Sequence, residues 1–171
     1  MKKYVLFLAL VYCSQFLFAQ KPCSRPAFRQ FDFWVGEWEA FAPNGNKGGD
    51  SKISIILDSC VILEEWTSAS AQQGLVYAGK SFNSYNAASK QWQQTWTDNT
   101  GNTTEFLRGE GRDGKIIYYA DNVPDPKGAS FMRRLTFTKL SNDKVRQFGE
   151  RSDDAGKTWT TEYDLEYRRK K

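Results

Sequence analysis

The chain has 171 residues, 24 Lys and Arg against 20 Asp and Glu, and no histidine. That length suits one ordinary domain, and the near balance of charge excludes a dedicated polyanion surface, the basic tail "YRRKK" reading as a solvated terminus. Without histidine there is no Ser-His-Asp or Cys-His catalysis, no histidine-ligated haem and no ordinary zinc site, so acid–base chemistry falls to Glu, Asp, Tyr or Lys and no metal or cofactor is expected.

Residues 1–19 read as a signal peptide. Lys2 and Lys3 precede the apolar run "YVLFLALVYCSQFLFA", and Ala19 stands at a cleavage point before Gln20. A membrane span needs about 20 apolar residues, and Ser14-Gln15 interrupts this one, so cleavage is favoured over an anchor. Tyr12 is too large for the small residue that a lipoprotein site would need before Cys13. The expected mature chain of about 150 residues is periplasmic or secreted, and 22 basic against 20 acidic residues leave it near +2. Cys13 leaves with the leader. Cys23 and Cys60 remain, and an oxidising compartment predicts a disulfide between them, with two free thiols as the alternative.

Residues 20–30 form an arm, extended or with one helical turn. The first predicted strand, 31–41 ("FDFWVGEWEAF"), places Trp34, Gly36 and Trp38 on one face, with the glycine leaving room where the tryptophans crowd. Strands follow at 51–58 and 61–68. In the second, "CVILEEWTS" sets Glu64 and Glu65 on opposite faces, so one of them looks inward. Either the strand bends there, or an arginine neutralises the acid, or a desolvated carboxylate serves a pocket. Strands 74–83 and 90–98 come next. Trp92, Gln94 and Trp96 share a face of the latter, which suits a flat or apolar ligand with one polar edge or, equally, aromatic packing in a wall.

Strands 103–110 and 115–120 precede the loop "DNVPDPKGA", whose prolines keep it out of a central strand. Strand 130–139 carries Arg133 on the face of Phe131, Leu135 and Phe137. A guanidinium there needs a carboxylate, for which Glu64 or Glu65 is the favoured partner, or an anionic ligand. Strands 144–151 and 158–168 end the chain, the last with Trp159, Tyr163, Leu165 and Tyr167 on one face. Between them "SDDAGKTW" fits an Asp-box, with Ser152 and Asp154 bonding the turn, Gly156 permitting positive φ and Trp159 covering it. A single copy staples a hairpin and implies no glycosidase.

Ten short strands with turn residues between them predict an all-β chain, a single antiparallel β-barrel over residues 31–169, because closure removes unpaired edges. Together, "FDFWVGEWEAF", "CVILEEWTS", "GKSFNSYNAASKQWQQTWTDNTG" and "VRQFGERSDDAGKTWTTEYDLEYRR" resemble a family of exported bacterial proteins related to the domain of unknown function numbered 1579. Gly36-Glu37-Trp38 further resembles the Gly-x-Trp signature of lipocalins and other calycins. That likeness implies a lipocalin-like barrel whose tryptophan packs against a late basic residue, Arg168 or Arg169. The strand count is similar to that of nitrobindin-type barrels, but their haem histidine has no counterpart here.

The expected function is an exported barrel that binds a small apolar or amphipathic molecule, including one with an anionic group, through Trp34, Glu64, Trp66, Gln94, Trp96 and Arg133. The alternatives are an envelope interaction module for protein or glycan and, third, a Glu-based hydrolase or isomerase. No nucleic-acid partner and no membrane anchor after signal cleavage are expected, and the oligomeric state is left open.

Overall fold

A computed structural model describes residues 21–125 and 128–171. The expected signal peptide lies outside the described residues. Two 3-10 turns, Pro26–Arg29 and Asp32–Trp34, precede eleven strands. These are β1 (Gly36–Phe41), β2 (Lys47–Ile56), β3 (Val61–Gln72), β4 (Leu75–Asn86), β5 (Gln91–Asp98), β6 (Thr103–Phe106), β7 (Arg108–Arg112), β8 (Lys115–Pro124), β9 (Ser130–Lys139), β10 (Lys144–Ser152) and β11 (Thr160–Arg169). They form one antiparallel sheet in the order β6-β5-β4-β3-β2-β1-β11-β10-β9-β8-β7, nearly closed into a barrel as the strand pattern predicts.

The predicted strand 103–110 is divided at Leu107, and this break closes the sheet. Its first half, β6, pairs with β5 from Gln94↔Phe106 to Thr97↔Thr103, while its second half, β7, pairs with β8 from Arg108↔Tyr119 to Arg112↔Lys115. Leu107, 58% exposed, is the bend. One segment therefore serves both edges, and side chains stitch the seam: Gln93 Nε2 donates to the Leu107 carbonyl (3.2 Å) and the Gly109 N–H to Gln91 Oε1 (3.2 Å). A Cβ on Gly109 would sit 2.6 Å from the Trp92 carbonyl oxygen and 2.8 Å from the Tyr118 ring, so only glycine permits that approach.

Other boundaries move for local reasons. Gly48 and Gly49, read as part of a turn, belong to β2, and the Trp66 ring takes the space that a side chain on Gly49 would fill. β8 runs through "DNVP" with a shifted register between Ala120 and Val123, and Pro124 falls at its last residue, where no further ladder bond is lost. Trp34 is not on a strand at all. It ends the second 3-10 turn, and β1 begins only at Gly36.

This turn plugs one end of the barrel. Phe31, Trp34, Trp38, Trp92, Phe137, Ile53, Ile62, Ile116 and Val145 are buried there. The Trp34 ring lies 5.0 Å from Phe31 and 4.4 Å from Phe137, centre to centre, within the range of favourable aromatic pairs. Gln30 fastens the arm across the seam, donating to the Gly111 carbonyl (2.9 Å) and accepting from Trp92 Nε1 (3.0 Å). Trp38 Nε1 donates to the Trp34 carbonyl (2.7 Å). The late basic residue over Trp38 is Arg169, at 4.1 Å, not Arg168, which faces outward over Phe41. Arg169 also donates to the Val35 carbonyl (3.1 Å). Gly36, at φ +140°, makes room for that guanidinium rather than for the tryptophans, since a Cβ would fall onto its Nη1.

Cys23 and Cys60 are joined by a disulfide, with Cα atoms 5.0 Å apart. The bond anchors the plug to the β2–β3 turn, where Leu57, Asp58 and Ser59 have φ of +49°, +51° and +75°. Three consecutive non-glycine residues in the left-handed region cost about 1 kcal/mol each, and the disulfide together with an Arg29–Ser59 carbonyl hydrogen bond (2.5 Å) holds them in place. The chain-entropy model assigns about 3–4 kcal/mol to a loop of this length. Replacing both cysteines by serine is accordingly expected to lower the unfolding free energy in urea by that amount. A loss under about 1 kcal/mol would show that the plug holds without the bond.

Candidate functional site

Alternation along the strands decides which side chains meet inside. On β3, Ile62, Glu64 and Trp66 face inward, whereas Glu65 faces outward and binds Lys80 Nζ at 2.7 Å. Glu64 is 2% exposed. Ser81 Oγ donates to its Oε2 (2.9 Å), Ser51 Oγ to its Oε1 (3.1 Å), and the Tyr167 hydroxyl approaches Oε1 at 3.5 Å.

These contacts belong to a longer buried polar chain. Asn83 Nδ2 donates to Ser81 Oγ (2.9 Å), and Asn83 Oδ1 accepts from Gln94 Nε2 (2.8 Å) and the Tyr118 hydroxyl (3.0 Å). On the far side, the Tyr167 hydroxyl donates to Gln147 Oε1 (2.6 Å). Seven strands thus deliver polar groups to the barrel's middle, and Asn83, Ser81 and Gln94 are satisfied by one another as buried polar groups must be.

The network contains no cation. Among the described residues no Lys or Arg pairs with Glu64. Arg133, its expected partner, instead bridges Glu162 (2.9 Å) at the rim, and Arg146 bridges Asp164 (2.7 Å) on the outer face. Burial pushes the Glu64 carboxyl up to about 7, against the opposing pull of the Ser81, Ser51 and Tyr167 hydrogen bonds. Desolvation, reinforced by the Glu64 charge, also raises the Tyr118 and Tyr167 hydroxyls well above their ordinary value.

Beyond Glu64, away from the plug, the inward side chains become half-buried aromatics. Trp66 lies over Gly49, Trp96 over Gly79 and Tyr163 over Gly149. Added Cβ atoms at Gly49 and Gly149 would sit 2.5 Å from Trp66 Cζ2 and Tyr163 Cζ, and one at Gly79 would fall onto the Trp96 ring. Each ring therefore lies against the wall where a neighbouring strand has no side chain, and Trp66 also meets Tyr167 with ring centres 6.2 Å apart. Tyr77 joins Trp96, accepting from its Nε1 (3.1 Å) and donating to Asp98 Oδ2 (3.0 Å). Tyr163 is 39% exposed, yet desolvation raises its hydroxyl above the ordinary phenol range.

Of the sequence candidates, Glu64, Trp66, Gln94 and Trp96 meet in this half of the barrel. Trp34 does not. It is fully buried in the plug, although its Nε1 has no acceptor among the described residues and its ring lies 5.8 Å from Tyr167. Arg133 stands at the rim with its guanidinium occupied by Glu162. Sequence reasoning missed Tyr77, Asn83, Tyr118 and Gln147. The inward glycines beside aromatic positions, as in "YAG" at 77–79, were the available signal.

The Asp-box is formed as expected and stands apart from the lumen. Asp154 accepts from the Thr158 N–H (2.8 Å) and Ser152 Oγ (2.7 Å), and these bonds, led by that of the Thr158 hydroxyl, hold its carboxyl down at about 2. Trp159 precedes β11 and packs outside, 4.4 Å from the Arg134 guanidinium, instead of joining Tyr163 and Tyr167 on the inner face.

No protein-family model matches the chain, and no curated protein does.

A carboxyl whose folded pKa is raised binds its proton more tightly in the folded state, so its contribution to stability falls as pH rises from the unfolded value near 4.5 to about 7 and is constant above that. The full change is about 3 kcal/mol. Glu64→Gln keeps the shape without the charge. Its stability relative to the parent is expected to increase steadily from pH 5 to 7.5 in paired urea titrations. A difference independent of pH would show that Glu64 titrates normally.

Proposed function

We propose that this protein is an exported barrel that binds a small molecule in the open half of its lumen. The observation that carries the reading is the arrangement of Trp66, Trp96, Tyr77 and Tyr163 over a buried polar floor centred on Glu64. Apolar walls with a few convergent polar groups are the usual composition of a ligand site. Export is supported by the Cys23–Cys60 disulfide, a bond that persists in oxidising compartments, and no helix among the described residues is long and apolar enough to cross a membrane.

The inward placement of Trp66, Trp92 and Trp96 favours this reading over an exposed aromatic docking patch. It is favoured over hydrolysis or isomerisation by the company Glu64 keeps. Its neighbours are hydroxyls, with Tyr118 and Tyr167 held neutral, so no base or nucleophile of complementary pKa stands beside it.

Native mass spectrometry of protein taken directly from its exporting host is expected to show a co-purifying small molecule. At a hundredfold excess over Kd, a rebinding ligand is expected to raise the Tm by about 5 °C or more. Trp96→Leu is expected to weaken it about tenfold. A bare mass, together with no thermal shift across lipids and aromatic compounds, would overturn the reading.

A further inference from the structure

We infer that the ligand carries an organic cation, an ammonium or quaternary ammonium group on an apolar body, held by the Trp66, Trp96, Tyr77 and Tyr163 ring faces with Glu64 as counter-charge. This rests on the binding reading above and names the ligand's chemistry.

Charge is the first ground. The inward acids of this half are Glu64 and Asp98, and the inward bases are the cross-strand pair Arg133 and Arg151. Glu162 grips Arg133 through both carboxylate oxygens at 2.9 and 3.0 Å, and Asp125 and Asp153 bind Arg151 at 2.7 and 2.6 Å. With both arginines taken up by these acids, Glu64 and Asp98 are left without a Lys or Arg partner among the described residues. Asp98 stays ionised. Burial opposes this, but hydrogen bonds from the Thr100 hydroxyl and N–H, Tyr77 and the Asn102 N–H hold its carboxyl below the ordinary value. An anionic ligand would meet repulsion here, contrary to the role that the sequence suggested for Arg133.

Hydrogen-bond capacity is the second. Glu64 accepts from Ser51 and Ser81, while the Tyr167 hydroxyl, whose hydrogen goes to Gln147, only approaches at 3.5 Å, which leaves lone pairs on a carboxylate that offers about four sites. Gln147 Oε1, which accepts only the Tyr167 hydroxyl, adds a further oxygen to the same floor. Such a floor suits a donor.

The walls are the third. Aromatic faces attract cations through the ring quadrupole, and several rings around one carboxylate are a recurrent way to recognise alkylammonium groups. A divalent metal ion fits less well. It takes six or more oxygens, usually with several carboxylates, and no group of three acids or cysteines that could hold a metal occurs among the described residues.

The test measures binding of decyltrimethylammonium, decylamine, decanol and decanoate, each below its micellar concentration, by tryptophan fluorescence and calorimetry on the mature chain. The two cations are expected to bind at least about tenfold more tightly than decanol, and decanoate more weakly than decanol. The quaternary probe has no titration of its own, and the groups facing Glu64 are the neutral phenols of Tyr118, Tyr163 and Tyr167. Its affinity should therefore rise about tenfold between pH 6 and pH 8 as Glu64 ionises. Glu64→Gln should abolish that rise and most of the preference for cations over decanol. Trp66→Leu, a change of ring rather than charge, should reduce the preference while keeping the pH dependence. Equal binding of all four compounds, tighter binding of decanoate, or a cation preference retained in Glu64→Gln would overturn the cation inference and leave the binding barrel standing. Failure of all four to bind would overturn the inference, and the ligand search described above then decides the barrel reading separately.

Discussion

Everything inside this molecule depends on the bend at Leu107. An antiparallel sheet of these strands left open would present two unpaired edges and only a shallow concave face. By sending Thr103–Phe106 to β5 and Arg108–Arg112 to β8, one segment turns the sheet's two sides into inside and outside. The bend works because Gly109 lets backbone approach backbone, and because Gln91 and Gln93 supply the hydrogen bonds that the irregular ladder omits. Without that seam Glu64 would be an acid on a solvated face. With it, the same carboxylate is desolvated and its proton equilibrium moves into the neutral range.

The inside is then divided by what fills it. Toward the 3-10 turns, large rings meet one another edge to face or stacked, and Arg169 closes the end by lying on Trp38 and bonding the Val35 carbonyl. The disulfide and Gln30 fix that plug to three different parts of the wall. Toward the other end, rings lie over glycines and make fewer ring contacts, Trp66 with Tyr167 at 6.2 Å and Trp96 with Tyr77 at 6.3 Å between centres. A ring laid over glycine is covered on one face by backbone, whereas the plug rings Phe31, Trp34 and Phe137 cover one another. Stability is thus concentrated at the plugged end, and the other half carries groups that folding alone would not choose.

Much of this was legible in the sequence, and the failures share a cause. Period-two alternation and the spacing of turn residues gave the all-β barrel, the inward or outward alternatives for Glu64 and Glu65, and the hairpin around Asp154. The disulfide followed from compartment and cysteine count. What alternation cannot show is which strand a side chain meets across the barrel. Arg133 was expected to face Glu64 because both point inward, but they sit at different heights, and Glu162, displaced by the register shift in β10–β11, reaches Arg133 first. Trp34 was placed on a strand face because the aromatic pattern runs through it, whereas the chain turns at Asp32–Trp34 to cap the barrel. Arg168 and Arg169 could not be separated until the pairing Trp38↔Arg169 was known. The polar floor was nearly invisible, since Ser51, Ser81, Asn83 and Gln147 are ordinary residues in their own strands and become a network only after closure.

That network poses the question on which the functional reading turns. An amide at position 64 could bond to the same Ser51 and Ser81 hydroxyls, accept from one and donate to the other, and spare the fold about 3 kcal/mol at neutral pH. Burying a carboxylate without a cation is a net loss for stability, and specificity of folding does not require it when neutral hydroxyls and amides already cross-link seven strands. The charge is therefore superfluous to the barrel as such. It gains a purpose if something positive arrives from outside, because the desolvation already imposed on Glu64 then strengthens the attraction in place of opposing it. The same wall that raises the proton affinity of Glu64 raises its affinity for any other cation that fits between the rings. A proton and an organic cation become competitors for one oxygen pair, and pH becomes a property of the binding site.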